Sequence, residues 1–223
     1  MTKALFIQAM TKFFAGLILM GLLLFVPAGT TAYPEGQRLI VLLFVPMFLA
    51  GVVMMIKSPD LLRKRLNVKE KLGEQVQVIL LSCAMFISGF IAAGMSFRFD
   101  FLLLPCWVSG AASVLFLLAY ALYAQVLREN AFLSRTIEIQ ENQHVVDTGL
   151  YGIVRHPMYS ASILLFLSMP LILRSFIALV IFGAYPLIIA KRIGSEEEFL
   201  EKNLEGYADY KKKVRFRLVP FVW

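Results

Sequence analysis

Four apolar stretches, Leu5–Val26, Leu39–Ile56, Val76–Phe97 and Phe101–Leu127, contain between them one charged side chain, Lys12. A helix needs about 20 mostly apolar residues to cross a bilayer, and only segments that satisfy their own backbone hydrogen bonds are stable there. The expected fold is therefore an all-α integral membrane protein. Composition agrees: 59% of residues are hydrophobic and 17% charged, against about 45–50% and about 25% in a soluble domain. Pro27 and Pro34 bracket the first turn, Lys57-Ser58-Pro59 opens the second, and Arg98-Phe99-Asp100 makes the third. Pro46 and Pro105 are expected inside helices, where neighbours can satisfy the freed carbonyls. Leu5–Val26 is interrupted by Lys12 and followed by no small-x-small cleavage pattern, so it reads as a retained span. Cys83 and Cys106 lie in apolar stretches without metal-ligand spacing and are expected to be buried and inert.

The last apolar region, Tyr159–Ala190, is too long for one span and is interrupted by Pro170 and Arg174. Each half would be roughly 21–24 Å long, short of a hydrocarbon core of about 30 Å. A helical hairpin with an incomplete crossing is expected. The organisation is then a four-span bundle over residues 1–127 and a second region over 128–223, comprising a polar loop, the hairpin 159–190 and an amphipathic tail.

Of the 22 lysines and arginines, nineteen fall at one end of the predicted bundle, and only Arg38, Arg98 and Arg174 fall in the alternate turns. Cytoplasmic loops carry the excess of cations, so both termini are expected in the cytoplasm, of a bacterial or archaeal inner membrane. The net charge of +7 belongs to that face and not to a nucleic-acid site, since no basic stripe is interleaved with exposed aromatics. Transport is disfavoured because ion pathways need ionisable residues inside the spans.

The polar material is concentrated in residues 128–158 and 191–223, and the hairpin brings these two segments to the same face. The loop alternates apolar residues around Asn142, which suggests a short β-hairpin. It continues Gly149-Leu-Tyr151-Gly152-Ile-Val-Arg155-His156-Pro157-Met-Tyr159. Proline disfavours helix at the residue before it, so His156 is expected to be extended and the chain to re-enter the membrane from Pro157. Arg155, His156 and Tyr159 then stand at the mouth of the hairpin, where they could equally be interfacial anchors. In the tail, Ser195 and Glu198 form a capping-box pattern. Leu200, Leu204, Tyr207 and Tyr210 follow at helical spacing before a basic run, as in a helix lying on the membrane.

Gly-x-Tyr-x-x-x-Arg-His-Pro-x-Tyr at 149–159, Arg-x-x-x-Glu-Glu-x-x-Leu at 192–200 and Tyr-x-x-Tyr-x-x-x-Val at 207–214 resemble the isoprenylcysteine carboxyl methyltransferase family, a relative of the phospholipid N-methyltransferases. The resemblance covers about the C-terminal half. It implies a site for S-adenosylmethionine formed by loop and tail, with Gln143, His144, Val145, Gly149, Tyr151, Arg155, His156, Tyr159, Glu196 and Glu197 as cofactor contacts. The family's usual histidine position is held by Gln143, with His144 beside it. The spacing from the glutamates to the tyrosine pair is one residue shorter than usual, which leaves the roles of Glu196 and Glu197 interchangeable. The cofactor's chemistry suits these residues. Its carboxylate needs a cation such as Arg155, its ammonium and hydroxyls need acceptors such as Glu196 or Glu197, and its sulfonium can rest on Tyr151 or Tyr159. No Gly-x-Gly-x-x-Gly turn follows a strand, and Gly89 and Gly94 read as helix packing.

The resemblance implies methyl transfer to a lipophilic or prenylated acceptor drawn from membrane lipid. A carboxylate acceptor needs orientation and no base, with Arg192 to hold it. An amine acceptor would need a free base such as Glu197 or His156. A reductase-like relative with a nicotinamide cofactor is the further alternative. A lipophilic acceptor is expected to slide in between the fourth span and the hairpin, beside Tyr123, Met158 and Ser162.

Overall fold

The computed structural model describes residues 3–66, 73–130, 132, 133, 139, 141 and 143–223. Its helices are α1 (Lys3–Ala28), α2 (Pro34–Lys57), α3 (Pro59–Leu66), α4 (Gly73–Arg98), α5 (Cys106–Glu129), α6 (Pro157–Ile172), α7 (Phe176–Phe182), α8 (Tyr185–Asn203) and α9 (Tyr207–Lys213). Among the described residues there is no strand, only an isolated bridge between Leu103 and Ser175. Most of the β-hairpin suggested around Asn142 lies outside the described residues.

Proline punctuates the helices as expected at two places. Tyr33 is extended and Pro34 opens α2, while Pro59 opens α3 directly after Ser58; a proline's missing N–H costs nothing in a first turn. Pro46 lies inside α2. Pro105 does not lie inside a helix and instead precedes α5. Residues before it leave the helix to pair with the hairpin's apex: Leu104 N donates to Arg174 O at 2.7 Å and Phe176 N to Leu102 O at 3.1 Å. Arg174 ties this end further, to Leu104 O at 2.8 Å and to Glu35 at 3.1 Å.

α1 packs on α2 and α4, α4 on α7 and α8, and α5 runs along α6. A Cβ on Gly94 would lie 2.6 Å from Leu24 O and 3.1 Å from Ala28 N, so only glycine admits α1 at this crossing. Gly89 is pressed against the Phe182 ring, within a cluster of edge-to-face contacts among Phe86, Phe90, Phe166 and Phe182. The opposite surfaces carry exposed Ile18, Leu22, Leu49 and Leu118, as a bundle solvated by hydrocarbon requires. Cys83 and Cys106 are on this outer surface and not buried. In a membrane bundle the outside is as apolar as the inside, so an apolar neighbourhood in sequence does not imply burial.

Five helical segments are long and apolar enough to cross a membrane: Ala4–Ala28, Pro34–Lys57, Val76–Arg98, Cys106–Glu129 and Phe176–Asn203. The first four occupy the expected stretches. The last corrects the hairpin. Its ascending limb, α6, is indeed short, but the returning limb spans 28 residues because α8 continues past Ala190 to Asn203. Hydrophobicity marks where lipid contact ends; it does not mark where a helix ends when its polar continuation packs against protein. For the same reason Ser195 caps nothing, lying inside α8. The tail is two helices, broken at Gly206 with φ +81°. Tyr207 and Tyr210 turn inward with Leu204 and Val214 against Val145 and Leu200.

Candidate active site

The loop returns to the bundle through a 3₁₀ turn, Gly149–Gly152. Gly149 has φ +57°, and a Cβ there would lie 2.6 Å from the Glu129 carboxylate, which accepts from Leu150 N at 2.8 Å. Pro157 keeps His156 out of the helix, at φ −127° and ψ 60°. The backbone N–H groups of Arg155 and His156 therefore donate elsewhere, to Phe216 O and Arg217 O of the tail, each at 2.9 Å.

Side chains complete this junction. Arg155 is 7% exposed and donates to Glu197 Oε1 at 2.7 Å, to Val214 O at 2.8 Å and to Arg215 O at 2.7 Å. His156 Nε2 lies 3.1 Å from the same Glu197 oxygen, and Arg217 Nε reaches Glu197 Oε2 at 3.1 Å from its stack on Trp223. Glu197 is thus a buried carboxylate surrounded by donors on three sides. Charge-assisted bonds of this kind offset the several kcal/mol that desolvating the ion costs.

Beside the junction lies a cavity of about 840 Å³, its mouth included. One wall is α8, where Arg192 and Glu196, four residues apart, share a face. Tyr159 joins them: its hydroxyl accepts from Arg192 Nε at 2.8 Å and donates to Glu196 Oε2 at 2.5 Å. The opposite wall is the loop, with Gln143, His144 and Val145; His144 meets the Phe132 ring edge-on at 5.0 Å. Leu200, Leu204, Tyr207 and Tyr210 close it from the tail, and Tyr151, Arg155, His156 and Met158 from the hairpin's mouth.

Two buried hydroxyls, Tyr151 Oη and Tyr207 Oη, have no hydrogen-bond partner among the described residues, although Asn130 stands beside the first. Burial pushes both far above the ordinary tyrosine range, helped at Tyr207 by the charge of Glu197. Both are therefore neutral donors at any physiological pH. Tyr210 has already placed its hydroxyl, on Tyr151 O at 2.8 Å.

Of the residues singled out from sequence, Gln143, His144, Val145, Tyr151, Arg155, His156, Tyr159, Arg192 and Glu196 line the cavity. Gly149 lies against Glu129 in the turn, and Glu197 lies behind the wall. Adjacent residues differ by about 100° around a helix, so Glu196 faces the cavity and its neighbour faces the Arg155 junction. Asn130, Phe132, Leu133, Val146, Leu200, Leu204, Tyr207 and Tyr210 also line it. The tyrosines and leucines had a helical spacing that fits lipid equally well; Asn130, the first polar residue after an apolar span's arginine and glutamate, gave no distinct signal. Ser162 does not face an opening between α5 and α6, which pack along each other. It is buried, accepting from Tyr185 Oη on α8 at 3.1 Å. Among the described residues no three His, Cys, Asp or Glu side chains converge to hold a metal.

Residues 111–202 match the model of the isoprenylcysteine carboxyl methyltransferase family. Most of the chain superposes on the solved structure of the eukaryotic intramembrane Ras methyltransferase, an isoprenylcysteine carboxyl methyltransferase. The TM-score is 0.56 at 18% identity, covering 86% of this chain and 69% of that one. At this identity the likeness speaks for the fold. No curated protein matches the sequence. The matched segment runs from α5 to the end of α8 and supplies most of the cavity's walls. Over residues 111–202 the chain is similar to the isoprenylcysteine carboxyl methyltransferase family, and its fold is a helical bundle with several segments long and apolar enough to cross a membrane.

Proposed function

We propose that the cavity binds S-adenosylmethionine and that the enzyme methylates the carboxylate of a lipophilic, isoprenylcysteine-like acceptor. The observation that carries this reading is the Arg192–Tyr159–Glu196 chain on one wall. A cation and an anion held by one hydroxyl complement an amino-acid end, which carries carboxylate and ammonium on a single carbon. Arg155, the other candidate for the carboxylate, is engaged with Glu197 and two tail carbonyls. The buried Tyr151 and Tyr207 hydroxyls, which have no hydrogen-bond partner among the described residues, suit ribose or purine acceptors, and the Gln143–His144–Val145 wall with Phe132 suits a flat base. When bound, the cofactor supplies an electrophilic methyl group on a sulfonium, whose charge an aromatic face such as Tyr159 stabilises.

A carboxylate acceptor is favoured over an amine by the state of the available bases. Glu197 is buried among Arg155, His156 and Arg217, His156 is turned to Glu197, and Glu196 accepts from Tyr159. None is placed as a free base for an ammonium proton. A carboxylate needs none, because its oxygen already carries the electron pair that forms the bond to carbon. The excess of cations at this end of the bundle supports a cytoplasmic mouth, with both termini on that side, in a bacterial or archaeal inner membrane.

The test is ligand-dependent stability together with transfer. S-adenosylhomocysteine should raise the thermal midpoint of the purified protein and a nicotinamide dinucleotide should not. Labelled methyl should pass to a prenyl-thioether acid and not to phosphatidylethanolamine. Stabilisation by the nicotinamide alone would replace this reading with a reductase.

A further inference from the structure

The short helix α3 lies outside the family-matched segment and delivers one arginine to the cavity's edge. Leu62 packs with Leu5 and Met55 against α1 and α2, and Lys12 of α1 donates to Leu66 O at the end of α3. This anchorage leaves Arg65 reaching the other way, across α5 and α6. Its Nη1 donates to Tyr123 Oη at 3.2 Å, and Nη1 and Nη2 approach Met158 Sδ at 3.8 and 3.9 Å. The guanidinium carbon lies 5.8 Å from the centroid of the Tyr123 ring. Met158 lines the cavity, and the charge of Arg65 acts on Tyr151, another lining residue.

These contacts leave the guanidinium incomplete. It has five donors, and a thioether is a weak acceptor. Nε is buried with no hydrogen-bond partner among the described residues. No carboxylate within them forms an ion pair with Arg65. Nε and Nη2 make up the side edge of the fork that grips a carboxylate with two parallel bonds. That edge holds only the thioether contact.

We propose that Arg65 binds the carboxylate of the lipophilic acceptor at the α3 side of the cavity. The inference rests on the carboxylate-methylation reading and adds the residue that recognises the acceptor. Arg192 is coupled to Glu196 through Tyr159 and suits a zwitterion, whereas Arg65 has no ion pair among the described residues and suits a lone negative charge. The site is next to apolar α1 and α2, so an acceptor's hydrocarbon chain stays out of water while its headgroup meets the cation. Methylation also removes the interaction: the ester product is uncharged, so Arg65 holds substrate and releases product.

The test compares binding of a farnesyl-thioether carboxylic acid with that of its primary amide, in nanodiscs of phosphatidylcholine. The wild type should prefer the acid. Arg65→Gln should weaken acid binding about 10- to 100-fold, the range of a lost charge-assisted pair, and leave the affinities for amide and S-adenosylhomocysteine unchanged. Arg65→Lys, which keeps charge and stem but not the fork, should fall between. An undiminished acid preference in Arg65→Gln overturns the proposal; if that variant does not fold, an undiminished preference in Arg65→Lys does so. Loss of the wild-type preference on adding phosphatidylglycerol would make the site a lipid-headgroup site and also overturn it. Tight acid binding without turnover strikes the methyl-transfer reading and leaves the Arg65 carboxylate site standing.

Discussion

Replacing Glu197 by glutamine keeps its volume and removes the charge at the loop–tail junction. Glu197 accepts from Arg155 at 2.7 Å, from His156 at 3.1 Å and from Arg217 at 3.1 Å, with its side chain 3% exposed. Each hydrogen bond to a charged group contributes about 1.5–3 kcal/mol, but the three are not additive. The Arg217 side chain is one-third exposed, so its share is that of a screened pair, about 0–1 kcal/mol. Arg155 keeps two carbonyl acceptors but becomes a buried cation without an anion. Breaking a buried pair in this way costs about 3–5 kcal/mol. At about 2–4 °C per kcal/mol for chains of this size, the thermal midpoint should fall by roughly 6–20 °C. Circular dichroism of the detergent-solubilised enzyme reads that shift. The neighbouring Glu196→Gln should move the midpoint far less and weaken S-adenosylhomocysteine binding, because Glu196 faces the cavity. An Glu197→Gln variant as stable as wild type, defective only in cofactor binding, would refute the assignment of the two faces of α8.

Other consequences differ in sign. Tyr207→Phe removes a buried hydroxyl that lacks a partner among the described residues, so the unliganded protein should be no less stable while S-adenosylhomocysteine affinity falls about fivefold, the value of one hydrogen bond. Because burial raises the Tyr207 pKa, its neutral donor form persists as pH rises, and wild-type affinity measured by calorimetry should show no loss from Tyr207 ionisation between about pH 7 and 9. Gly149→Ala places a methyl 2.6 Å from Glu129 at φ +57° and should lower the thermal midpoint, with Glu129→Ala relieving the clash but not the backbone strain. Gly94→Leu should separate α1 from α4 and abolish the folded, monodisperse species in size-exclusion chromatography, since the obstructing atoms are backbone.

Much of the architecture is legible in the chain itself. Runs of about 20 apolar residues have one stable solution in lipid, and a helix satisfies its own backbone, so the four leading spans follow from composition alone. Proline as the first residue of α2, α3 and α6 fixed their starts for an equally local reason: it lacks the N–H that a first turn does not use. The Arg155–His156–Pro157 and Arg192–Glu196–Glu197 elements pointed to the candidate site because loop and tail are the longest polar segments. Local pattern stops where packing takes over. It could not place the end of α8, because polar residues sustain a helix when protein covers them. It could not tell Glu196 from Glu197, since both suit a first turn or a ligand; only the rotation of α8 against the hairpin sends one to the cavity and the other to Arg155. Nor could it bring Arg65 to Met158, 93 positions away. Contacts between residues so distant in sequence depend on how helices cross, and helix crossings are decided by the fit of whole faces.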